Sequence, residues 1–285
     1  MPLSPRVLLS IDYEPWFAIF RRYDTITSAI QRKKLDDGFA LDALDPVLEQ
    51  LRDVTVSVYL VGEIVQWYPQ IPQKIVAAGH ELGLHCQLHR PLIDVNELSA
   101  DLRSSAAWRR EYRVRGYRAP MVGISESAYE LLGENGFYYS SSIYAPAGTL
   151  LKKNKIWELP VSTLKVFGKS GQYSAPRDFS LGLLMNGEFP YGSSFTIGMA
   201  GKRVLKIIED QLKAGLSPVI IMHPYELMSS SKWFSRTWWD IALHPTLLPF
   251  TWDKTDFLAS LLRHFPVSSL SGYLDEALEE RREFS

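Results

Sequence analysis

The chain carries a single cysteine, Cys86, so it can form no internal disulfide and cannot build a zinc cluster from thiolates. It has no excess of either charge: 31 Lys and Arg stand against 32 Asp and Glu, for a net charge of −1. That balance argues against nucleic acid as a partner and against a solvated acidic arm. No run approaches the ~18 consecutive apolar residues of a transmembrane helix. The opening MPLSPRVLLSID lacks the long apolar stretch of a secretion signal. Internal repeats, low-complexity tracts and obvious linkers are missing as well. The expectation is a soluble, cytoplasmic chain organised as one domain over residues 1–285.

Apolar and aromatic residues, by contrast, are plentiful. Hydrophobic residues make up 46% of the 285, enough for a large core. Of the eight tryptophans, Trp233, Trp238, Trp239 and Trp252 fall close together. Core filling and a loop that faces carbohydrate or lipid both fit such a cluster.

Short apolar runs read as buried parallel strands: Arg6–Asp12, Val56–Gly62, Glu81–His85, Val114–Ala119, Tyr138–Ile143, Trp157–Ser162 and Pro218–His223. Stretches with helical spacing separate most of them: Leu44–Leu51, Pro69–Ala78 closed by Gly79, Asn96–Arg110, Ser125–Glu134 with Ser125 as its cap, and Gly201–Ala214. Thr255–His264 and Gly272–Arg282 close the chain. Alternation of this kind predicts an α/β fold, a distorted (β/α)7 barrel of parallel strands. A barrel also explains why Asp12, His85, Arg118 and His223 end apolar runs. Strand C-termini gather on one face of a barrel, and loops build the active site there. Two connections, Phe17–Asp42 and Ser229–Trp252, are read as long loops above that face.

The polar residues at these ends have definite chemistry. Asp12 and Glu14 are two apart, so in extended chain both carboxylates face one way. His85 and His89, four apart, would share one side of a helical turn, and neutral imidazole is the commonest metal ligand. His80 opens the strand that His85 ends, and so belongs near the opposite end of the barrel in a structural role. Cys86 points away from His85 if the pleat continues, as a small packing residue. Arg118 either orients a carboxylate or forms a surface salt bridge. His223 is either a general acid or a satisfied structural histidine. Arg32, Lys33 and Lys34 read as a solvated helix face rather than a phosphate site.

Taken in order, SIDYE, GHELGLHCQLH, RAP and IIMHP resemble the motifs of the NodB-homology polysaccharide deacetylases, carbohydrate esterase family 4. The resemblance runs from Leu8 to about Glu276, and YLVGE, GFYYSSSIY and WELPVS add to it. It implies Asp12 as catalytic base and His223 as the acid that protonates the leaving amine. Arg118 would orient Asp12. Glu14, His85 and His89 would hold a divalent transition metal: Zn2+, with Co2+, Ni2+ or Fe2+ as alternatives. The first motif departs from the commoner pair of adjacent Asp residues and resembles a branch with acids spaced by one. Met121 stands where the family usually has Tyr, and Tyr139-Ser140-Ser141 where it often has Asp. Met121, Tyr225, Trp16 and Trp238 are candidate substrate contacts.

The implied activity is metal-dependent removal of an N-acyl group, foremost N-acetyl, from an amino sugar or glycan precursor, lipid- or nucleotide-linked. Deformylation, opening of a cyclic imide or ureide, and an inactive glycan-binding barrel are the alternatives.

Overall fold

The computed structural model describes residues 3–91, 94–167, 173–228 and 234–283. Among the described residues there are twelve strands: β1 Val7–Tyr13, β2 Ser57–Leu60, β3 Glu81–Leu84, β4 Gly116–Tyr117, β5 Tyr139–Ser140, β6 Tyr144–Pro146, β7 Leu151–Lys153, β8 Ile156–Glu158, β9 Val161–Lys165, β10 Glu188–Phe189, β11 Val219–Met222 and β12 Val267–Ser268. The main sheet runs β11-β1-β2-β3-β4-β5-β8-β7, with β12 added beside β1. Pairing along this path is parallel as far as β8, and β7 alone joins antiparallel. The sheet is therefore the curled, mostly parallel sheet of a (β/α)-type barrel; seven of its parallel strands are those read from the sequence, and the short β12, parallel to β1, was not read.

The central strands are buried on both faces, as a parallel sheet covered by helices requires. All seven residues of β1 are buried, from Val7 to Tyr13. Each large apolar side chain removed from water there contributes about 1.5–3 kcal/mol. The outer layer follows from helical patterning. In the Val95–Glu111 helix, Leu98, Leu102, Ser105 and Arg109 are buried at helical spacing. Its start is set by Asp94, whose carboxylate accepts from Asn96 N at 2.7 Å and Glu97 N at 3.2 Å.

Beyond β5 and β8 the chain continues into β6 and β9, which pair in parallel, with β10 antiparallel on the other side of β9. Gly192 bridges the gap between this small sheet and β11. Its N–H donates to Ser162 O and its carbonyl accepts from Ile221 N, both at 2.9 Å. A Cβ there would fall 2.4 Å from Val219 O and 2.8 Å from Ser162 N. Only glycine lets the two backbones approach this closely.

Three expectations change. The Phe17–Asp42 connection is not a bare loop: it holds helices Arg22–Thr25, Ala29–Asp36 and Phe39–Asp42. They escape a periodicity reading because a buried ion pair anchors them. Arg32 donates to Glu63 at 2.8 and 2.6 Å, so only Lys33 and Lys34 of the basic run face solvent. The second connection likewise holds helices Phe234–Leu243 and Leu248–Thr251, while its residues 229–233, Trp233 among them, lie outside the described residues. The helix expected from Ser125 starts at Ala128, and no side chain caps it. Among the described residues, no helix is long and apolar enough to cross a membrane.

Substituting Gly192 by Ala should lower stability by about 1–3 kcal/mol, the usual range for forcing an atom into a packed site. Gly123→Ala is the control, since its Cβ would meet Pro120 O at an ordinary 3.6 Å. Urea denaturation of the two variants should show a lower midpoint for the first alone.

Candidate metal and acid–base site

The strand ends assemble one polar cluster. Asp12 is near the end of β1 and Glu14 lies just past it, two residues on, and both are buried. Ser10, two residues earlier, faces the same way. Arg118, which follows β4, is fully buried and reaches across to this row. Its Nη1 donates to both Asp12 oxygens at 3.3 Å, while Nη2 meets Ser10 Oγ at 3.3 Å and Ser141 Oγ at 2.9 Å. The guanidinium also lies 4.7 Å from the centroid of the Tyr59 ring. Arg118 is therefore an interior ion-pair partner and not a surface residue.

Glu14, His85 and His89 come together, with one potential ligand atom from each lying within 4.8 Å of the others. Glu14 Oε2 is 2.7 Å from His89 Nε2 and 3.4 Å from His85 Nε2. Burial pushes the Glu14 carboxyl up, but the facing imidazoles, His89 foremost, hold it well below the usual carboxylate range. His85 Nδ1 meets Arg118 O at 2.9 Å. That contact makes Nδ1 the protonated nitrogen and leaves the Nε2 lone pair facing Glu14. Two imidazole nitrogens and one carboxylate, converging and oriented from behind, fit a transition metal such as zinc.

The route to this cluster differs from the expected helical turn. His85–His89 is not helical. Cys86 takes φ 59, which breaks the pleat after β3 and turns the chain back. Cys86 packs inward, with Sγ 3.0 Å from Tyr117 OH, and stays outside the ligand group. The turn is pinned from two sides. Gly62 N and Glu63 N donate to Cys86 O and Gln87 O at 2.9 Å. Asp101 accepts from Gln87 N at 2.8 Å and Leu88 N at 3.2 Å. His80 is buried before β3, away from the cluster, as expected.

Across the cluster stands His223, just past β11. Its Nδ1 is 3.0 Å from Glu226 Oε1 and 3.2 Å from Ser194 Oγ. Glu226 Oε2 also accepts from His223 N at 3.0 Å, and buried Lys254 Nζ lies 3.4 Å from Glu226 Oε1. Burial alone would lower the His223 pKa; the Glu226 carboxylate outweighs it and raises the imidazole to about 9. His223 is therefore cationic at neutral pH. Its ring stacks on Tyr225 at 5.0 Å and 8°, and Tyr225 OH donates to Glu14 Oε1 at 2.9 Å.

The four residues read as candidate substrate contacts lie in differing environments. Met121 is exposed directly beyond Arg118, at φ 56. Trp238 is exposed and stacked on Trp239 at 3.7 Å. Tyr225 is buried and committed to Glu14, and Trp16 is buried against Phe17 and Phe20. Sequence reasoning missed Glu226, Ser141, Asp101 and Lys254. Glu226 was within reach, because an acid three residues after His223 has the spacing of a capping pair. Ser141 occupies the stretch where relatives often carry Asp, and here its hydroxyl serves Arg118.

Comparison with known proteins places the fold. A protein assigned as a polysaccharide deacetylase from Mycobacterium smegmatis superposes with a TM-score of 0.55 at 17% identity, covering 92% of this chain and 95% of that one. The PuuE allantoinase superposes with a TM-score of 0.50 at 13% identity, covering 81% and 76%. No family model and no curated protein matches the sequence. The chain thus shares the fold of a deacetylase-type barrel at low sequence identity.

In metal-free protein, Glu226→Gln should remove the strongest charge opposing burial at His223, leaving the weaker pull of Glu14 and Asp12, and should lower its pKa from about 9. The linkage has a sign. A raised folded pKa stabilises fully below the unfolded value of about 6.5 and is lost as pH rises through the folded value. Wild-type stability should therefore decline between those limits, and the variant should show a smaller decline. Histidine NMR titration with denaturation at stepped pH checks both.

Proposed function

We propose that this chain is a metal-dependent carbohydrate N-deacetylase of the NodB-homology type. It would remove an N-acetyl group from an amino sugar or sugar-containing precursor. One observation carries the reading: a Glu14–His85–His89 donor group lies beside an Arg118-held Asp12, with a charged His223 across from them. Its resemblance to the ordered family motifs and its shared fold with a deacetylase-type protein add support.

Glu14, His85 and His89 would hold the ion, most simply Zn2+, which supplies Lewis acidity at the amide carbonyl and at water. The remaining steps belong to the protein. Asp12, its carboxylate oriented by Arg118, takes the proton of the attacking water. Arg118 is fixed in turn by Ser10 and Ser141, so Asp12 keeps one direction through the reaction. His223 carries a proton at neutral pH and faces the cluster from the opposite side. It delivers that proton to the amine nitrogen as the C–N bond breaks. Glu226 holds the His223 Nδ1 proton and balances its charge, which leaves Nε2 to act on substrate. Met121 and Trp238, both exposed, are the proposed substrate contacts among those read from the sequence.

An inactive glycan-binding barrel would be free to lose these groups, yet all six, Asp12, Glu14, His85, His89, Arg118 and His223, converge. Elemental analysis of purified protein should find about one equivalent of transition metal, lost in His85→Ala. Asp12→Asn should lower kcat by about 10²–10⁴-fold on an N-acetyl amino sugar with KM little changed. The rate should fall at high pH, where His223 loses its proton, and the Glu226→Gln variant should bring that fall to lower pH. Absence of metal after reconstitution, or an Asp12→Asn variant with full kcat, would overturn the reading. Turnover confined to N-formyl sugars or cyclic amides would keep the residues and change the substrate.

A further inference from the structure

We propose that the rim around this site docks on a lipid surface, whatever reaction the site performs. The clearest sign is on the Phe234–Leu243 helix, where Ile241 packs against the core and the described outward side chains are largely apolar. Its acid, Asp240, is only 7% exposed and pairs with Arg22, while Trp238, Trp239 and Leu243 on the same helix face solvent. Trp239 is 65% exposed. The outward face of a helix packed on a core is ordinarily polar.

The helix belongs to the mouth of the barrel. Arg22 lies in the connection that leaves β1, next to the Asp12 and Glu14 end. On its far side the chain returns to Lys254, whose N–H donates to Glu226 O at 2.8 Å. Other connections at this face also raise apolar tips. Met121 follows Arg118, Met185 follows β9, and Met199 is on the helix that begins with Ser194 beside His223. Met185 is 72% exposed. Among the described residues, the large apolar side chains left this open lie in the connections around the mouth; Val76, on the helix running down to the start of β3, is the exception.

The composition of the rim selects a bilayer as its occupant. Exposed cations stand beside the apolar tips: Lys33 and Lys34 follow Ile30 on one helix, and Lys202 and Arg203 follow Met199. Apolar residues flanked by Lys and Arg suit the boundary between acyl chains and anionic headgroups. Paired tryptophans favour the same boundary. The tips rise from separate segments around an opening and form no single flat patch, unlike the centre of a protein interface.

Flotation of the full chain with lipid vesicles tests the proposal. One set is phosphatidylcholine alone; in the other, phosphatidylglycerol replaces about a third of it. The chain should float with the mixed vesicles, less so with the first set, and less at high salt. Replacing both Trp238 and Trp239 by Ser should cut the bound fraction at least about tenfold, and Val76→Ser should leave it unchanged. If the double variant does not fold, Met185→Ser combined with Met199→Ser gives the same reading. Failure of wild type to float, or equal flotation of wild type and the rim variants, would overturn the proposal. So would a dimer in sedimentation that the rim substitutions abolish while vesicles go unbound, because the rim would then belong to a second copy.

Discussion

The site depends on one buried guanidinium. Arg118 is fully enclosed, and a charge there is tolerable only because Asp12, Ser10, Ser141 and the Tyr59 ring surround it. Removing one partner of such a pair typically costs about 3–5 kcal/mol, since the other charge is stranded. The same residue supplies a second constraint through its backbone: Arg118 O meets His85 Nδ1 and sets which imidazole nitrogen faces Glu14. The direction of the Asp12 carboxylate and the tautomer of His85 thus rest on one residue, just past a two-residue strand. Stability and chemistry are fixed together at that point.

Much of this was legible in the sequence. The seven parallel strands are apolar runs bounded by turns, and burial on both faces writes that signal strongly into β1, β2 and β11. Asp12, Glu14, Arg118 and His223 stood out because a polar residue at the end of a buried run has few structural reasons to be there. The helices within 17–42 were not legible: Arg32 looks like a solvated charge until Glu63, thirty-one residues away, is found opposite it. The turn carrying His85 and His89 was legible as a pairing but not as a shape. Its geometry rests on a left-handed Cys86 and on Asp101 from a neighbouring helix, and no local periodicity records either.

The acid side has a different logic. His223 would be neutral if burial acted alone; the nearby Glu226 reverses that, and Lys254 behind it balances the carboxylate. The chain of alternating charge is short, internal and almost free of solvent screening. It lets an enclosed imidazole remain cationic without drawing on surface charge, consistent with a protein whose overall net charge is close to zero.

Tyr225 has a consequence for how the site can vary. It lies flat on His223 and hydrogen-bonds Glu14, while its neighbour Glu226 charges His223. Four consecutive residues, His223 to Glu226, therefore hold the buried imidazole, its counter-charge and a brace on Glu14. Such a segment changes as a block or hardly at all. A Phe at 225 would keep the stack and drop the brace, and a different acid at 226 would alter reach and charge together. Divergence among chains built this way should gather in the rim above, where the connections are long and their side chains meet solvent.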